Sequence, residues 1–107
     1  MLPDFWLVFD HRKAIVKRLR YLARSYFHQD WDIEAPTPVG VVVVFRDQEV
    51  PEVVEELRQD LQAVLASHRS EDALAEIWDR CGADWDPQIA QLGSYREWFD
   101  AMLKAVS

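Results

Sequence analysis

"TPVGVVVVFRD", residues 37–47, is the stretch on which the fold turns. A run of valines favours a buried strand, because branched side chains pack well on a pleated surface. The segment "FWLVF" at 5–9 is the one other stretch that could pair with it, which gives an α+β alternative with residues 5–9 and 41–45 as a strand pair. Thr37 and Pro38 point the other way, since they read as an N-cap and a first helical position. Val39, Val42 and Phe45 also recur at helical spacing. We therefore read a short helix here.

Working outward, the neighbouring segments carry the same signals more plainly. Pro51 opens a helix in which Val54, Leu57, Leu61, Val64 and Leu65 face inward while Glu52, Glu56 and Asp60 face out. Ser70 caps the next helix, whose inward residues Leu74, Ile77, Trp78 and Cys81 end at Gly82, a natural C-terminal stop. Ser94 and Glu97 form a capping box for the last helix, with Tyr95, Trp98, Met102 and Val106 as its stripe and Phe99 and Leu103 beside it. Upstream, Ile15, Leu19, Leu22 and Tyr26, widened by Val16, Ala23 and Phe27, make an amphipathic helix that runs from Ala14 to near His28. Its residues Lys13, Lys17, Arg20 and Arg24 share another face, read as solvated. The expected fold is all-α, a small bundle of about five helices.

Composition narrows the function classes. The 107 residues suffice for one small core, and half of them are apolar, which argues against disorder. The formal charge of −7 disfavours direct nucleic-acid binding and an anionic membrane surface, and favours a cationic partner. A single cysteine, Cys81, forbids an internal disulfide and fits a cytoplasmic setting. The start "MLPDFWLVFD" lacks a basic leader and a small-residue cleavage site, and no stretch approaches a membrane span.

The motif that invites chemistry is "SYFHQDWDIEAP" at 25–36, echoed by "ADWDP" at 83–87. His28, Asp30 and Asp32 could serve a small metal-dependent hydrolase. Yet His28 and Asp32 are four apart across a change from helix to loop, and no His-Glu-x-x-His or Cys-x-x-Cys signature supports a metal site. His11 and His68 lie elsewhere. Aspartates flanking a tryptophan read more simply as loop caps around a buried anchor, and Asp86 before Pro87 can cap a short turn. Cys81, on an apolar stripe near a helix C-terminus, reads as a buried inert thiol. Gly40, Gly82 and Gly93 are isolated, so there is no phosphate-binding loop. No cofactor or metal is implied, and the residues favour a binding module over an enzyme.

"YFHQDWD" at the end of the first helix, the Thr-Pro cap before an apolar helix with Phe45, and "GSYREWFDAML" near the C-terminus together resemble the small immunity proteins of contact-dependent growth inhibition systems, the CdiI type. The resemblance spans about residues 15 to 106, so the chain is read as one such domain over 1–107, with 1–10 as an N-terminal extension. It implies a helical cytoplasmic protein that binds and neutralises the C-terminal toxin domain of a cognate CdiA effector, with no catalysis of its own. Many such toxins are nucleases, whose active sites must attract phosphate with a basic surface. An acidic inhibitor steers to that surface and occludes it. The contact candidates are then the loop carboxylates Asp30, Asp32, Glu34, Asp84 and Asp86, with Trp31 and Trp85 as anchors. Glu49, Glu52, Glu56 and Asp60 form a rival acidic face. A helical adaptor that uses the basic first helix for an acidic partner, unrelated to toxins, is the alternative function.

Overall fold

Caps and stops fall where the sequence places them, and helices fill the intervals. The computed structural model describes residues 16–67, 70–87 and 93–107. Among these residues the chain forms α1 (Lys17–Tyr26), a single 3-10 turn (Trp31–Ile33), α2 (Pro38–Gln48), α3 (Pro51–Ser67), α4 (Glu71–Cys81) and α5 (Tyr95–Ala105). No residue among them is in a strand. The proposed strand 5–9, the extension 1–10 and Lys13 to Ile15 lie outside the described residues.

The valine run is helix α2, so residues 41–45 are not a strand. The Thr37 hydroxyl accepts the Gly40 N–H at 3.0 Å, and Pro38 occupies the first helical position. Valine costs roughly 0.5 kcal/mol per residue in a helix. Burying Val41, Val42 and Phe45, all fully enclosed, gains about 1.5–3 kcal/mol apiece. Tertiary burial outweighs local preference. The buried stripe is Val41, Val42 and Phe45, and Val39, expected on it, is exposed. At Gly40 a Cβ would lie 2.9 Å from Thr37 Oγ1 and 3.0 Å from Ala35 Cβ, so closely does the preceding loop fold back on the first turn.

Helices α1 and α5 each pack against α2, α3 and α4. Between them lies one core in which Leu19, Leu22, Phe27, Phe45, Leu57, Leu61, Leu74, Trp78, Phe99 and Met102 are enclosed. Other caps follow the reading closely. Ser70 Oγ accepts the Ala73 N–H at 3.1 Å, Ser94 and Glu97 form the capping box, and Gly82 leaves α4 at φ 87°.

Helix α1 breaks this pattern. Its N-cap is Val16, which has no side-chain acceptor, although the first amides of any helix need one. Asp60 of α3 supplies it. One of its carboxylate oxygens accepts the backbone N–H groups of Arg18 at 2.8 Å and Leu19 at 3.2 Å. Asp60 therefore faces inward, with only 7% of its surface exposed, a correction to the outward placement drawn from helical periodicity. The outward rule fails here because a polar side chain belongs inside when a buried donor waits for it. Arg20 is likewise half-buried, its Nε enclosed, while Lys17 and Arg24 stay exposed on the basic face.

Candidate functional site

The end of α1 and the exit of α4 build one surface. The chain leaves α4 through Gly82, and two residues later the Asp84 N–H donates to the Phe27 carbonyl at 2.7 Å, which satisfies the C-cap residue of α1. Trp85 then drops into the core. Its carbonyl accepts the Trp78 indole N–H at 2.8 Å, and its ring meets Phe27, Trp78 and Trp98 at centroid separations of 5.7, 6.5 and 4.7 Å. Trp31 reaches the same cluster from the other loop, edge-on to Trp85 at 6.2 Å. The two Asp-Trp-Asp stretches, whose tryptophans are 54 positions apart in sequence, thus share one aromatic footing.

Hydrogen bonds fix the first loop. The Trp31 N–H donates to the His28 carbonyl, the Ile33 N–H to that of Asp30, and the Glu34 N–H to that of Trp31, each at 3.0 Å. His28 Nδ1 accepts the Asp30 N–H at 3.1 Å. In the neutral ring the proton then sits on Nε2, which donates to Glu34 Oε2 at 3.3 Å. Both ring nitrogens are engaged in closing the loop. Asp30 and Asp32 point to solvent, so His28, Asp30 and Asp32 do not gather into the cluster a metal-dependent hydrolase would use. Among the described residues no group of three or more His, Cys, Asp or Glu side chains is placed to hold a metal ion.

The sequence candidates divide by burial. Asp30, Asp32 and Asp84 are exposed, Trp31 and Glu34 are half-buried, and Trp85 is buried. Asp86, half-buried, accepts the Tyr95 hydroxyl hydrogen bond. Burial, followed by that carboxylate, raises the Tyr95 pKa above its ordinary value. Asp30, Asp32 and Asp84 form no ion pair among the described residues. Neither 25–45 nor 81–95 contains a lysine or arginine, although five carboxylates lie on these two segments. Periodicity missed Ile33 altogether: it lies on the 3-10 turn between two acidic residues, 78% exposed.

The rival acidic face is built differently. Glu49 accepts hydrogen bonds from the Tyr21 and Tyr26 hydroxyls at 2.8 and 2.7 Å, and Glu56 pairs with Arg18 Nε at 2.6 Å. The bond to Glu49 raises the Tyr21 pKa, while for Tyr26 burial raises it first and the same bond adds to the effect. Asp60 is the cap of α1. Burial pushes its pKa up to about 6, against the two backbone donors that favour the ionised form. The cleft beside it, lined by Lys17, Arg18, Glu56, Gln59 and Asp60, encloses about 150 Å³, below the range of roughly 300–1,000 Å³ usual for ligand sites. The helix start it caps accounts for the burial of Asp60, and burial accounts for the raised pKa without a substrate. Cys81 is buried, and burial pushes its thiol up to about 12, which leaves no thiolate for nucleophilic work at neutral pH.

Compared with known proteins, the chain matches the family model described as CdiI immunity protein over residues 16–106, from the N-cap of α1 to the C-cap of α5. No curated protein and no solved structure matches it. Among the described residues no helix is long and apolar enough to cross a membrane.

Proposed function

The chain belongs to the CdiI immunity protein family, and from that premise we propose how it neutralises its toxin. An immunity protein of this family acts against a contact-dependent growth inhibition toxin, so the chain is a toxin inhibitor and not an enzyme. In the proposal the partner is the C-terminal domain of a cognate CdiA effector, a nuclease with a basic substrate surface, met in the cytoplasm. The chain covers that surface with the end of the bundle where the two Asp-Trp-Asp loops meet. Asp30, Asp32 and Asp84 supply the attraction, with Glu34 and the edge of Trp31 at the contact. Trp85 and Asp86 hold the surface from beneath through Trp78 and Tyr95.

One observation carries this reading. Of the two acidic regions, only the loop end presents exposed carboxylates with no lysine or arginine on the segments that bear them, whereas Glu49, Glu56 and Asp60 are each tied to α1 by a hydrogen bond or ion pair. Such an array of like charge on a supported surface speeds the encounter with a basic partner and selects for it.

The test is co-expression of the chain with its toxin domain, scored as survival, beside cleavage of DNA and RNA by the purified toxin. Survival, with cleavage abolished by the chain, is expected. Death of cells that contain soluble immunity protein would sink the inhibitor reading, and a toxin that cleaves neither nucleic acid would remove its nuclease part. The Asp30→Asn/Asp32→Asn/Asp84→Asn variant locates the contact, because an undiminished affinity would move it off the loop end.

A further inference from the structure

We infer that Ile33 is the apolar anchor of the toxin contact, and that the partner offers an apolar recess bordered by lysines or arginines. The inference rests on the proposed location of the contact at the loop end.

An isolated exposed isoleucine is ordinary on a protein surface. Ile33 differs in how it is held. It is 78% exposed on a turn whose backbone is tied by the bonds from Trp31, Ile33 and Glu34, and by the His28 ring between Asp30 and Glu34. The chain has little freedom there to fold the side chain inward. The turn packs on α2, whose first turn adds Val39, 41% exposed, to the same end of the molecule. Asp32 and Glu34 flank Ile33 directly, so a partner that buries it must bring cations alongside.

Rigid presentation lowers the entropy lost on binding, and anchors of this kind sit at the centre of an interface inside a polar rim. The division of labour follows: the carboxylates set the approach, and Ile33 sets the residence time. A neutral or acidic partner would meet the rim unfavourably. A second copy of this chain, with the same acidic rim, fits poorly for that reason.

The test measures association and dissociation rates of the purified toxin domain with wild type, Ile33→Ala, Ile33→Asp and Asp30→Asn/Asp32→Asn/Asp84→Asn, each checked by thermal melting. Both Ile33 variants are expected to bind about 10- to 100-fold more weakly through faster dissociation, with melting unchanged. Ile33→Asp is the decisive one, because it adds a negative charge facing a basic partner. Equal or tighter binding by Ile33→Asp, alongside weaker binding by the carboxylate variant, overturns the anchor and leaves the loop-end contact standing. If neither kind of variant changes an affinity that wild type displays, the contact lies elsewhere and both fall. Self-association of the chain that Ile33→Asp abolishes, with toxin binding unaltered, would assign the patch to a second copy instead.

Discussion

The seam between α1 and α3 and the loop end beside Trp31 and Trp85 are both acidic, yet they use their charge in opposite ways. At the seam and at the α2 C-cap beside it, three carboxylates have protein partners: Asp60 takes two backbone amides, Glu56 an arginine and Glu49, the C-cap of α2, two tyrosine hydroxyls. At the loop end Asp30, Asp32 and Asp84 remain in solvent while aromatic packing beneath them carries the structure. A carboxylate count cannot separate these regions. Only the position of nearby donors can, and that is a tertiary property.

The largest effect that tests the contrast is Trp85→Ala. It removes the ring between Phe27, Trp31 and Trp98 and should cost about 3–5 kcal/mol, read as a fall in the denaturation midpoint. A loss below about 1 kcal/mol would mean that the loop end is not supported by the core.

Next comes Asp60→Ala, which leaves the Arg18 and Leu19 amides without their acceptor and should cost about 1–3 kcal/mol. Asp60→Asn keeps an acceptor and should lose less. The asparagine variant also tests the pH dependence. The folded pKa of about 6 lies above the value of about 3.9 for a free aspartate, so between those values the folded chain binds the proton more readily than the unfolded one. Wild type should therefore gain stability relative to Asp60→Asn as pH falls from above 6 toward 4. A difference between the two that is flat across this window would contradict the buried cap.

Asp30→Asn/Asp32→Asn/Asp84→Asn should leave melting nearly unchanged while slowing toxin association by about 10-fold at low salt. A melting loss as large as that of Asp60→Ala would erase the distinction between the two regions. The smallest expected effect is that of Gly40→Ala on stability. The added methyl presses on Thr37 and Ala35, and the better helix propensity of alanine, about 1 kcal/mol, offsets much of that strain. The melting temperature should hold to within a few degrees, while displacement of the 35–37 loop weakens toxin binding a few-fold.

These contrasts also mark what the chain discloses before it is folded. Thr37, Pro38, Ser70, Gly82 and the Ser94–Glu97 box are local signals, each acting within four residues, and they located the helix boundaries correctly. The valine run was ambiguous because its strand propensity and its helix cap are signals of similar size, and burial in the bundle decides between them. Periodicity assigns Asp60 to the polar face of α3, whereas the structure buries it. Read from sequence, α1 starts at Ala14, so its uncapped start at Val16, which calls for an acceptor from elsewhere, emerges only from the structure. Ile33 escaped notice because a loop has no period against which one exposed apolar residue stands out. His28 was recognised as part of a motif, but its use, with one nitrogen accepting and the other donating to close the loop, depends on a turn that the sequence alone does not draw.

The cap that α3 lends to α1 reaches into how the chain folds. Helix α1 has ten residues, too few to persist alone in water, and its missing acceptor lies 41 and 42 positions away from the amides it serves. The first turn of α1 can therefore settle only once α3 is helical and docked, which binds local and long-range order into one event. Hydrogen exchange at the Arg18 and Leu19 amides should then proceed through the opening of the α1–α3 seam and not through fraying of a helix end, giving the start of α1 a protection that its place at a terminus would not suggest.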